Sequence, residues 1–101
     1  MIDNIQIIKK DGSIEPFKKE KLVNAVNKSA IRVLTELSDK QLMLLESYVK
    51  NKIITDFDGK INVKDLHNVV ELSLEMIDKR VAESYRSYRN YKTDFVSILD
   101  N

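Results

Sequence analysis

The chain has 101 residues, 43% of them hydrophobic, which is enough for one core of ordinary size and predicts a single domain over residues 1–101. Seventeen basic and sixteen acidic side chains leave a net charge of +1, so the sequence lacks the basic excess usual in nucleic-acid-binding proteins, and we expect no such partner. The absence of cysteine excludes disulfides and cysteine-based zinc sites, and the lack of a targeting signal or a membrane-length apolar segment predicts a cytoplasmic protein with no membrane partner.

A β-hairpin is predicted over residues 4–17, where two apolar runs flank the pair Asp11-Gly12. A tight turn needs a residue with positive φ, and glycine adopts that conformation at little cost. Because an isolated hairpin is marginally stable, we expect the face that carries Ile5 and Ile7 to pack on helices.

Four helices are predicted from apolar residues that recur three and four positions apart. Ser38 and Gln41 are spaced as a capping box for the second helix, and Asn62 is suited to cap the third. The apolar pattern of the fourth continues to the end of the sequence, so we expect an N-terminal fragment of a longer protein. The predicted fold is mainly α, a four-helix bundle capped by the hairpin. The apolar positions are Leu22, Val26, Ala30, Val33 and Leu37; Leu42, Leu45, Val49 and Ile53; Leu66, Val70, Leu74 and Ile77; and Val81, Tyr85, Tyr88, Phe95 and Leu99.

Lysines gather around the hairpin and the start of the first helix. Ammonium groups beside turn amides and a helix N-terminus are suited to bind a polyphosphate. The alternative is a solvated surface, because lysine is among the residues most often exposed. The residues are Lys9, Lys10, Lys18, Lys19 and Lys21.

Two single residues are further candidates. Glu15 follows the turn, where its carboxylate could accept a hydrogen bond from a ribose hydroxyl or an adenine amino group; otherwise it is surface charge. His67 is the one histidine of the chain and lies at the edge of the third apolar stripe. It is either a ligand or a half-buried structural residue.

An aromatic and basic face is predicted on the fourth helix, where it could stack on a base and hold phosphates. Tyrosines at helical spacing are more often part of a core. The sequence contains no nucleophile motif, Walker-type glycine loop or histidine pair, so we expect no catalytic activity and no metal site. The face comprises Tyr85, Tyr88, Tyr91, Arg86 and Arg89.

Together these segments resemble the ATP-cone domain found at the N-terminus of ribonucleotide reductase catalytic subunits. The resemblance covers roughly residues 4–92. It is carried by Ile8 to Phe17 with Glu20, Lys21 and Leu22, by Ile61 to Glu71, and by Val81 to Arg89.

The resemblance implies a hairpin lid over the bundle that binds ATP or dATP, with Mg²⁺, as an allosteric effector. Lys18 departs from the family, which often has a small polar residue there, so the first helix lacks its usual cap. By analogy the phosphates meet Lys9, Lys10 and Lys21, the base or sugar meets Glu15, the adenine is walled by Ile8, Phe17 and Leu22, and His67 and Arg89 lie near the nucleotide and its phosphates.

A reductase domain is the function that the resemblance implies first. Such a domain controls activity through subunit association, and its partners are the catalytic domain of the same chain, other reductase subunits and a second copy of the cone. We expect the exposed faces of the first and third helices to make these contacts. The alternative is the cone of a nucleotide-dependent transcriptional repressor of reductase genes, which normally follows a zinc ribbon. We rank it lower because the sequence has no Cys-x-x-Cys pair. A free-standing helical interaction module remains a third interpretation.

Overall fold

The computed structural model describes residues 5–87 of the chain. The predicted mainly helical fold is confirmed, and the hairpin is part of a three-stranded sheet. After α3 the chain enters a further helix, α4, which is helical over residues 79–87. None of the helices in this described part is long and apolar enough to cross a membrane. The preceding elements are β1 (Gln6–Ile8), β2 (Ile14–Pro16), α1 (Lys19–Arg32), α2 (Asp39–Phe57), β3 (Lys60–Asn62) and α3 (Val63–Ile77).

The hairpin closes through a three-residue loop between Lys9 and Ser13. The amide of Lys9 donates to the Ser13 carbonyl at 2.8 Å, and the amide of Gly12 donates to the Lys9 carbonyl at 2.9 Å. Gly12 has φ +88°, the left-handed conformation for which its lack of a side chain is needed. The glycine of the Asp-Gly pair therefore makes the turn, as the sequence predicts.

The third strand, β3, was not predicted. It pairs in parallel with β1, so the strand order is β2-β1-β3. Ile7 lies opposite Ile61 in this pairing, and both side chains are buried. The last residue of β3, Asn62, is also the N-cap of α3, where its side chain accepts a hydrogen bond from the Asp65 amide at 2.8 Å. The sheet thus passes into α3 without an intervening loop.

The end of α1 differs from the prediction. Leu37 belongs to the predicted stripe, but the helix ends at Arg32 and Leu34 takes a positive φ of 57°. The amide of Thr35 then donates to the Ala30 carbonyl at 2.9 Å, as in a Schellman helix end. Leu37 is buried all the same, from the loop that leads into α2.

The starts of α2 and α3 follow the prediction. Ser38 Oγ accepts from the Gln41 amide at 3.1 Å, and Gln41 Oε1 accepts from the Ser38 amide at 2.9 Å. A left-handed Asp58, at φ 56°, ends α2. The carboxylate of Asp78, which the sequence reasoning passed over, accepts from the Arg80 amide at 3.0 Å and so caps α4.

The core lies between the sheet and the four helices. Burial of a side chain such as leucine or isoleucine stabilises the fold by about 1.5–3 kcal/mol, so α2 and α3 contribute strongly. The α4 helix approaches α1 closely, since Ser84 Oγ donates to the Ser29 carbonyl at 2.7 Å. The largest fully buried side chains include Val26, Leu45, Val49, Ile53, Ile61, Val70, Leu74 and Val81.

Candidate functional site

One side of the hairpin faces the helices. Residues directly opposite each other in a sheet project to the same face, and Ile7 lies opposite both Glu15 and Ile61. Because Ile7 and Ile61 are buried, this face is the one that packs on the helices. Glu15 therefore projects from β2 towards α1 rather than into open solvent.

Glu15 forms an ion pair with Lys21 of α1. Lys21 Nζ donates to Glu15 Oε2 at 3.2 Å and lies 3.4 Å from Oε1. The Lys21 side chain is 63% exposed and that of Glu15 28%, so water screens the pair. Exposed pairs of this kind contribute about 0–1 kcal/mol, which leaves Lys21 able to exchange its partner for a stronger anion.

The first turn of α1 lies directly beside this pair. Lys18 is the N-cap residue, and its side chain makes no capping hydrogen bond, as its identity predicts. The helix dipole places partial positive charge at this end, and Lys19 and Lys21 add full charges on either side of Glu20. Lys18 and Lys19 are both exposed, and the ammonium of Lys19 lies 3.6 Å from Glu46 of α2.

The turn itself carries Lys9 and Lys10, both of them exposed. Between them and the second strand, Asp11 Oδ1 accepts from Ser13 Oγ at 2.6 Å and from the Ser13 amide at 2.9 Å. These hydrogen bonds, with a smaller contribution from the charge of Lys9, hold the pKa of the Asp11 carboxyl below its ordinary value. The Asp11 carboxylate is thus engaged in shaping the turn.

The apolar residues that were expected to wall the adenine differ in burial. Ile8 is half-buried on β1, and Phe17 is half-buried against the core. Leu22 is only 8% exposed and belongs mainly to the core. Lys50, which the sequence reasoning did not single out, places Nζ 5.8 Å from the centre of the Phe17 ring, a cation–π contact from α2.

His67 lies on α3, where its Nδ1 atom is 2.8 Å from the hydroxyl of Tyr85 on α4. The ring centres are 5.9 Å apart, tilted by 54°. Tyr85 is 3% exposed, so the core interpretation of this tyrosine is confirmed. Two contacts thus link candidate residues: Glu15 pairs with Lys21 at the hairpin, and His67 pairs with Tyr85 where α3 meets α4.

Arg86, one of the two arginines of the predicted α4 face, forms ion pairs with α3. Arg86 contacts Glu71, and its guanidinium lies 3.3 Å from Glu75. The hydrogen bond to Glu71 is the main cause that raises the pKa of Arg86. Arg86 therefore holds α4 to α3. The remaining members of that face, Tyr88, Tyr91 and Arg89, lie outside the described residues.

Among residues 5–87 no group of three or more histidine, aspartate or glutamate side chains is placed to hold a metal ion. The charges near the hairpin are mainly ammonium groups, which repel cations and attract anions.

Comparison with known proteins identifies the family. The model of the ATP cone domain matches residues 5–94. The chain is 29% identical over 90 residues to the transcriptional repressor NrdR of Pelobacter propionicus, which covers 83% of this chain and 57% of the repressor. Identity is 30% over 101 residues to NrdR of Prochlorococcus marinus, covering 96% of this chain and 62% of that protein.

A reductase is also similar. Identity to the anaerobic ribonucleoside-triphosphate reductase of Haemophilus influenzae is 30% over 95 residues, which cover 92% of this chain and 13% of the enzyme. The chain thus spans about three fifths of the two repressors and a small part of the reductase. Because the family model covers nearly the whole sequence, from the hairpin through α4, this chain belongs to the ATP-cone family.

Proposed function

We propose that this chain is a regulatory domain that binds ATP or dATP between the hairpin and the helices and is not itself an enzyme. ATP-cone domains bind nucleotide effectors, and the chain belongs to that family. The observation that carries the proposal is the contact between Glu15 of β2 and Lys21 of α1, 3.2 Å apart. It places an exchangeable ammonium group and a carboxylate at the junction of hairpin and helix.

Lys9, Lys10 and Lys21 are proposed to bind the phosphates. Lys9 and Lys10 are exposed at the turn, and Lys21 stands beside the uncapped start of α1. A triphosphate carries more negative charge than the Glu15 carboxylate, so it draws the Lys21 ammonium away from that partner. Backbone amides of the first helical turn add to the attraction.

Glu15, once released by Lys21, is proposed to accept a hydrogen bond from the base or the sugar. Ile8 and Phe17 are proposed to contact the adenine, with the buried Leu22 beneath them. His67 and Arg89 complete the proposed site; Arg89 lies outside the described residues. Mg²⁺ is proposed to arrive with the nucleotide, held by its phosphate oxygens.

Isothermal titration of the chain with ATP and dATP, with and without Mg²⁺, tests this proposal. We expect binding below millimolar concentration. The double variant Lys9→Ala with Lys21→Ala weakens binding by a few kcal/mol, roughly a hundredfold, because each lysine makes a charge-assisted contact. The matched control removes two exposed lysines elsewhere, Lys28 on α1 and Lys40 on α2.

Two results would contradict the proposal. Absence of binding at millimolar nucleotide rejects the function as a whole. An equal loss of affinity in the control pair shows that the protein attracts nucleotide through its general charge, and rejects the assigned phosphate site.

The protein that contains this domain is proposed to be a nucleotide-dependent transcriptional repressor. Similarity to repressors from Pelobacter propionicus and Prochlorococcus marinus supports this function over the reductase that the sequence reasoning ranked first. That ranking depended on the lack of a Cys-x-x-Cys pair. The aligned segment is only 57% of the first repressor, so neither the lack of cysteine nor the net charge of +1 in this segment argues against a repressor that acts at DNA.

A reductase domain is the second candidate, because the similarity to the Haemophilus influenzae enzyme covers 92% of this chain. The two differ in their partners: a repressor acts at DNA, whereas a reductase domain acts on its own catalytic domain and subunits. A mobility-shift assay of the intact protein on DNA upstream of reductase genes, with ATP or dATP, separates them. Retention of that DNA selects the repressor, and nucleotide-dependent reduction of ribonucleotides without DNA retention selects the reductase.

Control through assembly is proposed for either protein. ATP and dATP differ by one hydroxyl, and a site that leaves one buried polar group unpaired discriminates by about tenfold. Solution mass by light scattering, with each nucleotide, tests the assembly. The same mass with ATP, with dATP and without nucleotide would contradict it.

A further inference from the structure

Phe17 follows β2 and continues the antiparallel pairing of the hairpin. The amide of Phe17 donates to the Ile5 carbonyl at 3.0 Å, and the hairpin register places these two residues opposite each other. Residues opposite each other project to the same face of a sheet, and the Ile5 side chain is buried. The Phe17 ring therefore projects towards the helices, on the same face as Glu15.

The ammonium group of Lys50 on α2 contacts this ring. Lys50 Nζ lies over the Phe17 ring, 5.8 Å from its centre, which is within the range of a cation–π contact. The same atom lies 2.9 Å from Glu46 Oε2, one turn earlier on α2. Only 28% of the Lys50 side chain and 18% of the Glu46 side chain are exposed, so water screens this ion pair less than the pair of Glu15 and Lys21.

Glu46 also connects this contact to the start of α1. Its second carboxylate oxygen, Oε1, lies 3.6 Å from Nζ of Lys19, in the first turn of that helix. Phe17 and Lys19 stand on either side of Lys18, the N-cap residue that makes no side-chain capping bond. The segment that joins the hairpin to α1 is therefore held on α2 at both ends, at the ring through Lys50 and at Lys19 through Glu46.

We propose that Lys50 is a positioning residue, which holds the Phe17 ring beside Glu15 and so orients it for contact with the adenine of the bound nucleotide. The inference rests on the proposed function for the ligand, whereas the contact of ammonium and ring belongs to the ligand-free chain. The ammonium lies over the ring with all its other contacts formed, so this role does not need a lysine free of partners. It brings α2, which contributes none of the site residues proposed above, into nucleotide recognition.

The ligand-free chain gives the first test, because an aromatic ring shifts the NMR resonances of protons that lie over it. We expect the ε-methylene protons of Lys50 to resonate upfield of those of Lys52, which pairs with Asp56 on the same helix at 2.9 Å. Phe17→Leu removes the ring and brings the Lys50 protons to the position of the Lys52 protons. Equal positions of the two lysines in the wild type would overturn the proposal, whether or not any variant folds.

Nucleotide affinity gives the second test. Lys50→Met keeps much of the side chain and removes its charge, so we expect it to weaken ATP binding by about three- to fivefold in calorimetry. Lys50→Arg keeps a cation that can stack on the ring and stays within about twofold of the wild type. Lys52→Met removes a paired lysine from the same helix and leaves the affinity unchanged. Equal losses in the two methionine variants would show an effect of net charge alone and overturn the proposal.

Two further measurements show whether Lys50 acts through the ring. In a Phe17→Leu background, Lys50→Met changes ATP affinity by less than about twofold, because the ring that the lysine holds is absent. Inorganic triphosphate has no base to contact the ring, so Lys50→Met changes its affinity no more than Lys52→Met does. The full loss in the Phe17→Leu background, or with inorganic triphosphate, would assign Lys50 to the phosphates or to the fold and overturn the proposal.

The outcomes separate the role of Lys50 from the proposed function. A wild-type chain that does not bind ATP rejects the function, and the role of Lys50 falls with it. A Lys50→Met chain that binds ATP as tightly as the wild type rejects the role of Lys50 and leaves the function standing.

Discussion

The starts of α1, α2 and α3 differ in how their amides are satisfied. At α2 and α3, Ser38 and Asn62 accept hydrogen bonds from helix amides, and each first turn holds an aspartate. The α1 helix begins at Lys18 with no side-chain cap, and its first turn holds Glu20 between Lys19 and Lys21. Positive charge therefore exceeds negative charge at only one of these three starts.

Burial also differs between elements. Leu45, Val49 and Ile53 of α2 have no exposed surface, whereas Ile14 on the edge strand β2 is 51% exposed. Side-chain burial thus stabilises the fold more through α2 than through β2. We expect changes of exposed residues at the turn and on β2 to alter the proposed nucleotide binding, with less effect on folding than changes in the core.

The largest loss of stability is expected from a substitution at a core position of α2. Leu45→Ala removes a fully buried side chain and lowers the free energy of unfolding by about 2–5 kcal/mol. Met43, on the same helix and 65% exposed, is the control, and Met43→Ala changes it by less than about 0.5 kcal/mol. Urea denaturation followed by circular dichroism measures both. Similar losses in the two variants would contradict the described burial of α2.

A smaller loss is expected at the hairpin turn. At Gly12 a side chain would meet no atom within 4 Å, so Gly12→Ala is opposed only by the positive φ. Forcing alanine into that conformation costs about 1–2 kcal/mol. The expected result is a modest drop in the urea midpoint and faster amide exchange in the hairpin. Gly12→Asn, which tolerates positive φ better, is the control and should lose less.

The helix caps give the most direct test of the difference between the uncapped start of α1 and the capped start of α2. Ser38→Ala removes the cap of α2 and lowers stability by about 1 kcal/mol. Lys18→Asn supplies α1 with a side chain that can cap, so it raises stability by up to a similar amount. The same change removes a positive charge beside the proposed phosphate site and weakens ATP binding.

Urea denaturation and calorimetry on the two cap variants decide this prediction. If Lys18→Asn lowers stability as much as Ser38→Ala does, the two helix starts are not different in the way described.

The smallest effect is expected from acid. The hydrogen bonds from Ser13 lower the pKa of Asp11 below its ordinary value of 3.8 in the folded chain. A carboxyl with a lowered folded pKa stabilises the fold above its ordinary pKa, and that contribution is lost as the pH falls through the lowered value. We therefore expect the Asp11 contribution to be intact at neutral pH and to disappear below about pH 4. The pKa of the Asp11 carboxyl is measured by NMR titration, with the Ser13 amide as the reporter. Ser13→Ala removes the side-chain hydrogen bond and should return this pKa towards 3.8.

Local patterns predicted much of this fold. The Asp11-Gly12 turn and the caps at Ser38 and Asn62 depend on a few neighbouring residues, and the structure confirms them. Leu37 was wrongly placed in the first helix, because its three-four spacing continues past a chain reversal that depends on Leu34 taking a positive φ.

Contacts between segments that are distant in the sequence could not be predicted from local patterns. The strand β3 has three residues, too few for a periodic signal, and it is defined only by pairing with β1 more than fifty residues earlier. The partner of His67 also depends on how α4 docks. The sequence identifies His67 and Tyr85 as separate candidates, and only the fold shows that the two side chains contact each other.

The double role of Asn62 has a mechanical consequence. Its backbone is paired beside Ile8 of the hairpin strand, and its side chain fixes the first turn of α3. Because no residue separates the strand from the helix, a change at Asn62 acts on the sheet pairing and on the start of α3 together. We expect Asn62→Ala to speed amide exchange in both elements, not in one of them alone.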